Sequence, residues 1–106
     1  MKRLSLLMIA LCFGLGDFPA NADEPTRIAA ELLPKSLQMS WQINKPQLGK
    51  FGKCAAAFDS RTEDAKMAFA CSIYVKLSAV AERKAIQNCD EQRQARGIKA
   101  PCQLVH

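Results

Sequence analysis

Histidine is nearly missing from this chain: 106 residues hold one, His106, together with one tryptophan and one tyrosine. A Ser-His-Asp or Cys-His catalytic site would have to be built on that residue at a frayed chain end, so hydrolases of those kinds are not expected. Glycine is scarce too, and Gly49 and Gly52 flank a turn without the rest of a phosphate-binding loop. The cysteines show no C-x-x-C pair, which argues against thioredoxin-like exchange. They also lack the close ligand pairs of zinc modules, so neither a metal nor another cofactor is expected. Long apolar runs are absent as well: the longest, Leu4 to Phe13, falls short of the roughly 20 residues that span a bilayer as a helix. No internal repeat, low-complexity tract or linker interrupts the chain. With 49% hydrophobic residues it is nonetheless too apolar to be wholly disordered.

The first segment reads as a secretory signal peptide. Lys2 and Arg3 form a basic start, Leu4–Phe13 the apolar stretch, and Ala20-Asn21-Ala22 the small-x-small cleavage pattern. Cleavage after Ala22 leaves residues 23–106 as a single small domain. A retained anchor or lipidation at Cys12 is the weaker alternative, because Leu11 stands where a lipidation site needs a small residue. Lys2, Arg3 and Asp17 leave with the signal, taking the net charge from +5 to +4. Cys12 leaves too, and Cys54, Cys71, Cys89 and Cys102 remain, an even set that reads as two disulfides in an oxidising compartment. The expected location is the bacterial periplasm or the medium.

Within the mature chain, residues 23–33 are read either as a short helix capped by Asp23 or as a flexible leader, ended by Pro34. Leu37, Met39, Trp41 and Ile43 alternate with Gln38, Ser40, Gln42 and Asn44, which predicts a half-buried strand. Lys45-Pro46 and Gly49 would then form the following loop. Residues 53–59 and 66–77 read as a hairpin about Ser60–Asp64. One register places Phe58 opposite Met67, Ala56 opposite Phe69 and Cys54 opposite Cys71. The competing reading makes 62–96 one long helix, against which the β-branched and aromatic run Ile73-Tyr74-Val75 weighs. Ser78 would cap a helix to about Arg96, burying Ala81, Ala85, Ile86 and Cys89, with Gly97 as the residue just beyond its end. Pro101–Val105 would be a last short strand.

The local disulfide pairing is Cys54–Cys71 with Cys89–Cys102. The other two connectivities, Cys54–Cys89 with Cys71–Cys102 and Cys54–Cys102 with Cys71–Cys89, stay open. Each local loop would contribute about 3 kcal/mol in the chain-entropy model. The expected architecture is therefore α+β: a small disulfide-stapled domain with a three-stranded antiparallel meander, one packed helix and a short final strand whose neighbour is left open.

Catalytic groups are hard to find. Glu63-Asp64 fall in a solvated turn and Asp90-Glu91 on an exposed helix face, with no apolar surround to raise a pKa. The basic surplus is the one functional lead. Arg83, Lys84, Arg93, Arg96 and Lys99 gather in the last helix and its exit, with Tyr74 a candidate interface residue and Trp41 read as core. The partner would be an envelope protein or an anionic envelope component, not nucleic acid, since no aromatics interleave with the cations. The spacing Ala85-x3-Cys89-x3-Arg93-x3-Gly97-x3-Pro101-Cys102 is similar to C-terminal stretches of small exported bacterial proteins, and the likeness implies no activity. The expected function is that of a small exported binding or accessory protein without catalysis. The alternatives are a structural protein binding an anionic surface through the basic helix, and an enzyme with an unrecognised site.

Overall fold

Three buried alanines form the middle of the first hairpin strand. Lys53–Phe58 (β2) reads KCAAAF, and it pairs antiparallel with Met67–Ser72 (β3), MAFACS. The computed structural model describes residues 25–73 and 75–106. The segment read as a signal peptide, its expected cleavage site, Cys12 and Tyr74 lie outside those residues. Phe58 pairs with Met67, Ala56 with Phe69 and Cys54 with Cys71, the register that keeps the large apolar side chains on one face. β3 stops at Ser72 instead of continuing to Leu77, because its last partner, Lys53, is the first residue of β2.

The three-stranded meander with a single packed helix is overturned. The sheet is mixed and four-stranded, and two substantial helices flank it. Its order is β1-β4-β2-β3, where β1 is Arg27–Ile28 and β4 is Gln103–Val105. The closing strand thus lies inside the sheet, antiparallel to β2 and parallel to β1. Asp23, the expected cap, lies outside the described residues; residues 25–33 hold the two-residue strand β1 and a single 3-10 turn at Ala30–Leu32, not a short α-helix or a loose leader. The carbonyls of Thr26 and Ile28 accept from the backbone N–H groups of Leu104 and His106, and Ala30 N–H donates to the carbonyl of His106. Three bonds to an existing strand outcompete one isolated helical turn, whose nucleation is unfavourable.

The larger correction concerns Leu37–Asn44. It belongs to a helix, Lys35–Leu48 (α1), not to a strand. The alternation that suggested a strand also satisfies a helical pairing: Leu37 and Trp41, four apart, turn toward the sheet. Met39 and Ile43, also four apart, turn to solvent at 59% and 68% exposure. Leu, Gln, Met and Lys are good helix formers, and half of the apolar alternation is simply left outside. The helix runs on through Pro46, which supplies no N–H for the carbonyl of Gln42. Past its end, the buried Gly52 donates its N–H to the Leu48 carbonyl at 2.9 Å. A Cβ on Gly52 would sit 2.5 Å from that oxygen, so only glycine allows the chain to turn back into β2 this closely.

Ser78–Ala95 (α2) covers the other face of the sheet. Ser78 is the first helical residue rather than the cap, and the preceding Leu77 makes no side-chain capping bond. The C-terminus is a full Schellman turn: Ile98 N–H donates to Arg93 C=O, Gly97 N–H to Gln94 C=O, and Gly97 has φ +67°. Ile98 is buried beneath that turn. The α2 layer is built from small groups, with Ala85 and Cys89 of the helix meeting Ala55, Ala57, Ala68 and Ala70 of the hairpin. The α1 layer holds the large ones, in which Leu33, Leu37, Met67 and Val105 are joined by Trp41, Phe58 and Phe69.

The disulfides are Cys54–Cys71, across the hairpin, and Cys89–Cys102, from α2 to the approach of β4. By strand alternation Cys54 shares the α1-side face with Ala56, whereas Cys89 and Cys102 lie in the α2 layer. Each face of the sheet therefore carries one staple. Among the described residues no helix is long and apolar enough to cross a membrane.

Candidate functional site

The five cations singled out from the sequence lie on α2 and just beyond its end, and two of them make side-chain hydrogen bonds within the fold. Arg83 and Lys84 are exposed on α2. Arg93 is engaged locally: its Nε donates to Asp90 at 2.8 Å and its guanidinium to the Ile98 carbonyl at 3.2 Å, bracing the Schellman turn. Arg96 donates to the Met67 carbonyl at 2.6 Å, on the outer edge of β3. One turn earlier, Gln92 Oε1 accepts from Phe69 N–H at 3.0 Å on the same edge. Together the two side chains occupy backbone groups that an edge strand otherwise offers to a foreign chain. Lys99 is exposed, and its backbone N–H binds Asp59.

Asp59 follows β2 directly and accepts the backbone N–H groups of Lys99 and Ala100 at 2.7 and 2.8 Å. Those two bonds, that from Lys99 first, hold its carboxyl below the ordinary aspartate range, with help from the Lys66 and Lys99 charges. The carboxylate pins the segment leading into β4 to the end of β2. The Ser60–Asp64 turn is ordered by Ser60 Oγ, which accepts from the N–H groups of Thr62 and Glu63. Ser36 Oγ donates to Asp64 at 3.0 Å and so links this turn to the start of α1.

A concavity lies on the α1 side. It is a pocket of about 570 Å3 between α1, the turn at Ala30–Glu31 and His106. Its α1 wall consists of Gln38, Trp41, Gln42 and Lys45, the i, i+3, i+4, i+7 stripe of one helical face, with Pro46 beyond. Trp41 is partly buried: it packs against the sheet-side cluster and also lines the pocket. Gln38 is fixed in place, its amide nitrogen donating to the carbonyls of Glu31 and Leu33 at 3.1 and 2.9 Å. Its Oε1 keeps its acceptor capacity. Pro46 leaves the Gln42 carbonyl without its usual helical donor, and both residues belong to the pocket lining.

His106, set aside from the sequence as part of a frayed end, is anchored on both sides of its backbone. Its N–H donates to Ile28 at 3.0 Å and its carbonyl accepts from Ala30 at 2.8 Å. Sequence reasoning missed the pocket for one reason. A strand reading sends Gln38 and Gln42 to the face opposite Trp41, whereas a helix gathers all three with Lys45. The helical stripe was visible in the spacing, but the strict alternation masked it.

A smaller groove of about 360 Å3 runs along the β3 edge, with Ser36, Ser40 and Asn44 of α1 on one side and Gln92 and Arg96 of α2 on the other. Among the described residues no group of three or more His, Cys, Asp or Glu is placed to hold a metal ion. Comparison with known proteins found no match: no family model fits the sequence, and no curated protein or solved structure is similar to it.

Proposed function

We propose that the protein is a small exported binding or accessory module that engages its partner through the pocket at Trp41. The observation that supports it is the joining of an aromatic side chain, two amide side chains and residues of both charge signs in the lining of one concave surface. Pockets of this size, within the roughly 300–1,000 Å3 usual for small-ligand sites, commonly pair an apolar floor with a few oriented polar groups. The basic-helix alternative draws less support, because Arg93 and Arg96 each direct a guanidinium donor to a backbone carbonyl of the fold. No catalytic step is assigned, and turnover dependent on a pocket side chain would overturn the reading.

Trp41 is the only tryptophan in the chain, so the protein's indole emission reports on the pocket directly. The test is to titrate the exported protein with membrane vesicles, cell-wall material and periplasmic extract of the expression host while recording that emission. A saturable change that is absent in Lys45→Ala is expected. Emission that stays constant with every fraction, while the protein still sediments with one of them, would move the contact surface away from the pocket.

A further inference from the structure

We infer that the pocket at Trp41 accepts the ring of a neutral saccharide, an assignment that rests on the pocket being the binding site. Three features of the lining select that class. Trp41 lines the pocket, and an indole ring suits the C–H face of a pyranose. The surrounding polar groups balance donors against acceptors. Lys45 donates only, the Glu31 carboxylate accepts only, and Gln42 and His106 do both. Hydroxyl groups, each a donor and an acceptor, can use that whole set, whereas a ligand of one charge sign cannot. A phosphate or carboxylate would meet the Glu31 charge, and a cation would meet that of Lys45. The third feature is acceptor capacity already held in place. Gln38 is oriented by its two bonds to the Glu31 and Leu33 carbonyls, and the Gln42 carbonyl lacks a helical N–H because of Pro46. Fixed acceptors of this kind bind hydroxyl donors without first giving up an internal bond.

The experiment titrates the folded, disulfide-bonded protein with a neutral glucose hexasaccharide and, in parallel, its N-acetylated counterpart. Separate arms contain inorganic phosphate, an acidic decapeptide, and vesicles of anionic phospholipid. Trp41 emission is read throughout. A saturable quench or blue shift with either neutral oligosaccharide is expected, with affinity falling about tenfold in Gln42→Ala, the equivalent of one well-placed hydrogen bond. Gln42 is exposed, so that variant keeps the fold. Trp41→Ala removes core packing as well as the probe, so Gln42→Ala, with an unchanged far-ultraviolet circular dichroism spectrum, is the deciding variant. A response confined to phosphate, peptide or vesicles overturns the saccharide assignment and leaves the pocket as the site. No response in any arm overturns both.

Discussion

The two faces of the sheet are covered by helices of similar kind and very different fit. On the α2 side small meets small: alanines of the hairpin lie against Ala85 and Cys89, with Ile98, Cys102 and Leu104 completing a layer of buried residues. Helix and sheet approach closely because no long side chain separates them, and the helix end is closed by a Schellman turn. On the α1 side the interior residues are large, yet the helix leaves Met39 and Ile43 in solvent, continues through a proline, and borders a pocket of about 570 Å3. One face has the precision of a core. The other has unfilled space and polar groups with bonding capacity to spare, and for that reason the binding reading is placed there.

Removing the α2-side staple should produce the largest effect that separates the faces. Cys89→Ala with Cys102→Ala frees the helix from the approach to β4, a strand inside the sheet, and should cost about 2–5 kcal/mol by urea denaturation. Cys54→Ala with Cys71→Ala removes a link between strands already paired residue by residue and should cost less. Equal losses would break the comparison. Overpacking comes next. Ala85→Leu inserts a branched side chain into a fully buried site and should destabilise by about 1–3 kcal/mol, read as a lowered thermal midpoint. A neutral result would mean that the alanine layer has slack.

Asp59 sharpens the comparison through pH. Its folded-state pKa is depressed by the Lys99 and Ala100 N–H groups, so its stabilisation is present above the unfolded-state value. It is lost as pH falls through the folded value. The stability difference between the wild-type protein and Asp59→Asn should therefore be constant at neutral pH and shrink below about pH 4. A difference independent of pH would exclude the carboxylate charge as its source. Smallest of all, Met39→Ser and Ile43→Ser should change stability by no more than about 0.5 kcal/mol, because both side chains already face solvent. A loss above 1 kcal/mol in either would show that the outer stripe of α1 is packed after all.

Much of the α2 half was legible from residues alone. The hairpin register follows from period-two patterning, since a one-residue slip would turn Phe58, Met67 and Phe69 to the wrong side. The helix, its buried stripe at Ala81, Ala85 and Cys89, and its glycine stop follow from local chemistry. The α1 half was not legible in the same way. Between Leu37 and Asn44 apolar and polar residues alternate, and a helix and a strand make different but comparably economical uses of that pattern. What decided between them was the partner surface: with β4 and β1 filling the sheet on one side of β2 and β3 on the other, no edge beside β2 remained for a strand.

The candidate site shows the same division. Sequence directed attention to the cations of α2, and only the fold brings Arg93 and Arg96 into hydrogen bonds with backbone carbonyls. Neither residue type nor spacing announces such a bond, because the acceptors at Ile98 and Met67 belong to the fold. The pocket is also a tertiary product. Trp41 and His106 lie at distant points of the sequence and meet only because the last strand is inserted beside β1.

By itself the sequence determined the elements whose signals are local: the hairpin, the α2 helix and its termination. Tertiary structure alone decided the order of the strands, the helical state of residues 37–44 and the assembly of the Trp41 pocket. The reason is physical. Periodicity, caps and turn residues act over a few positions of the chain, whereas the choice between comparable local states is made by the surface each would bury.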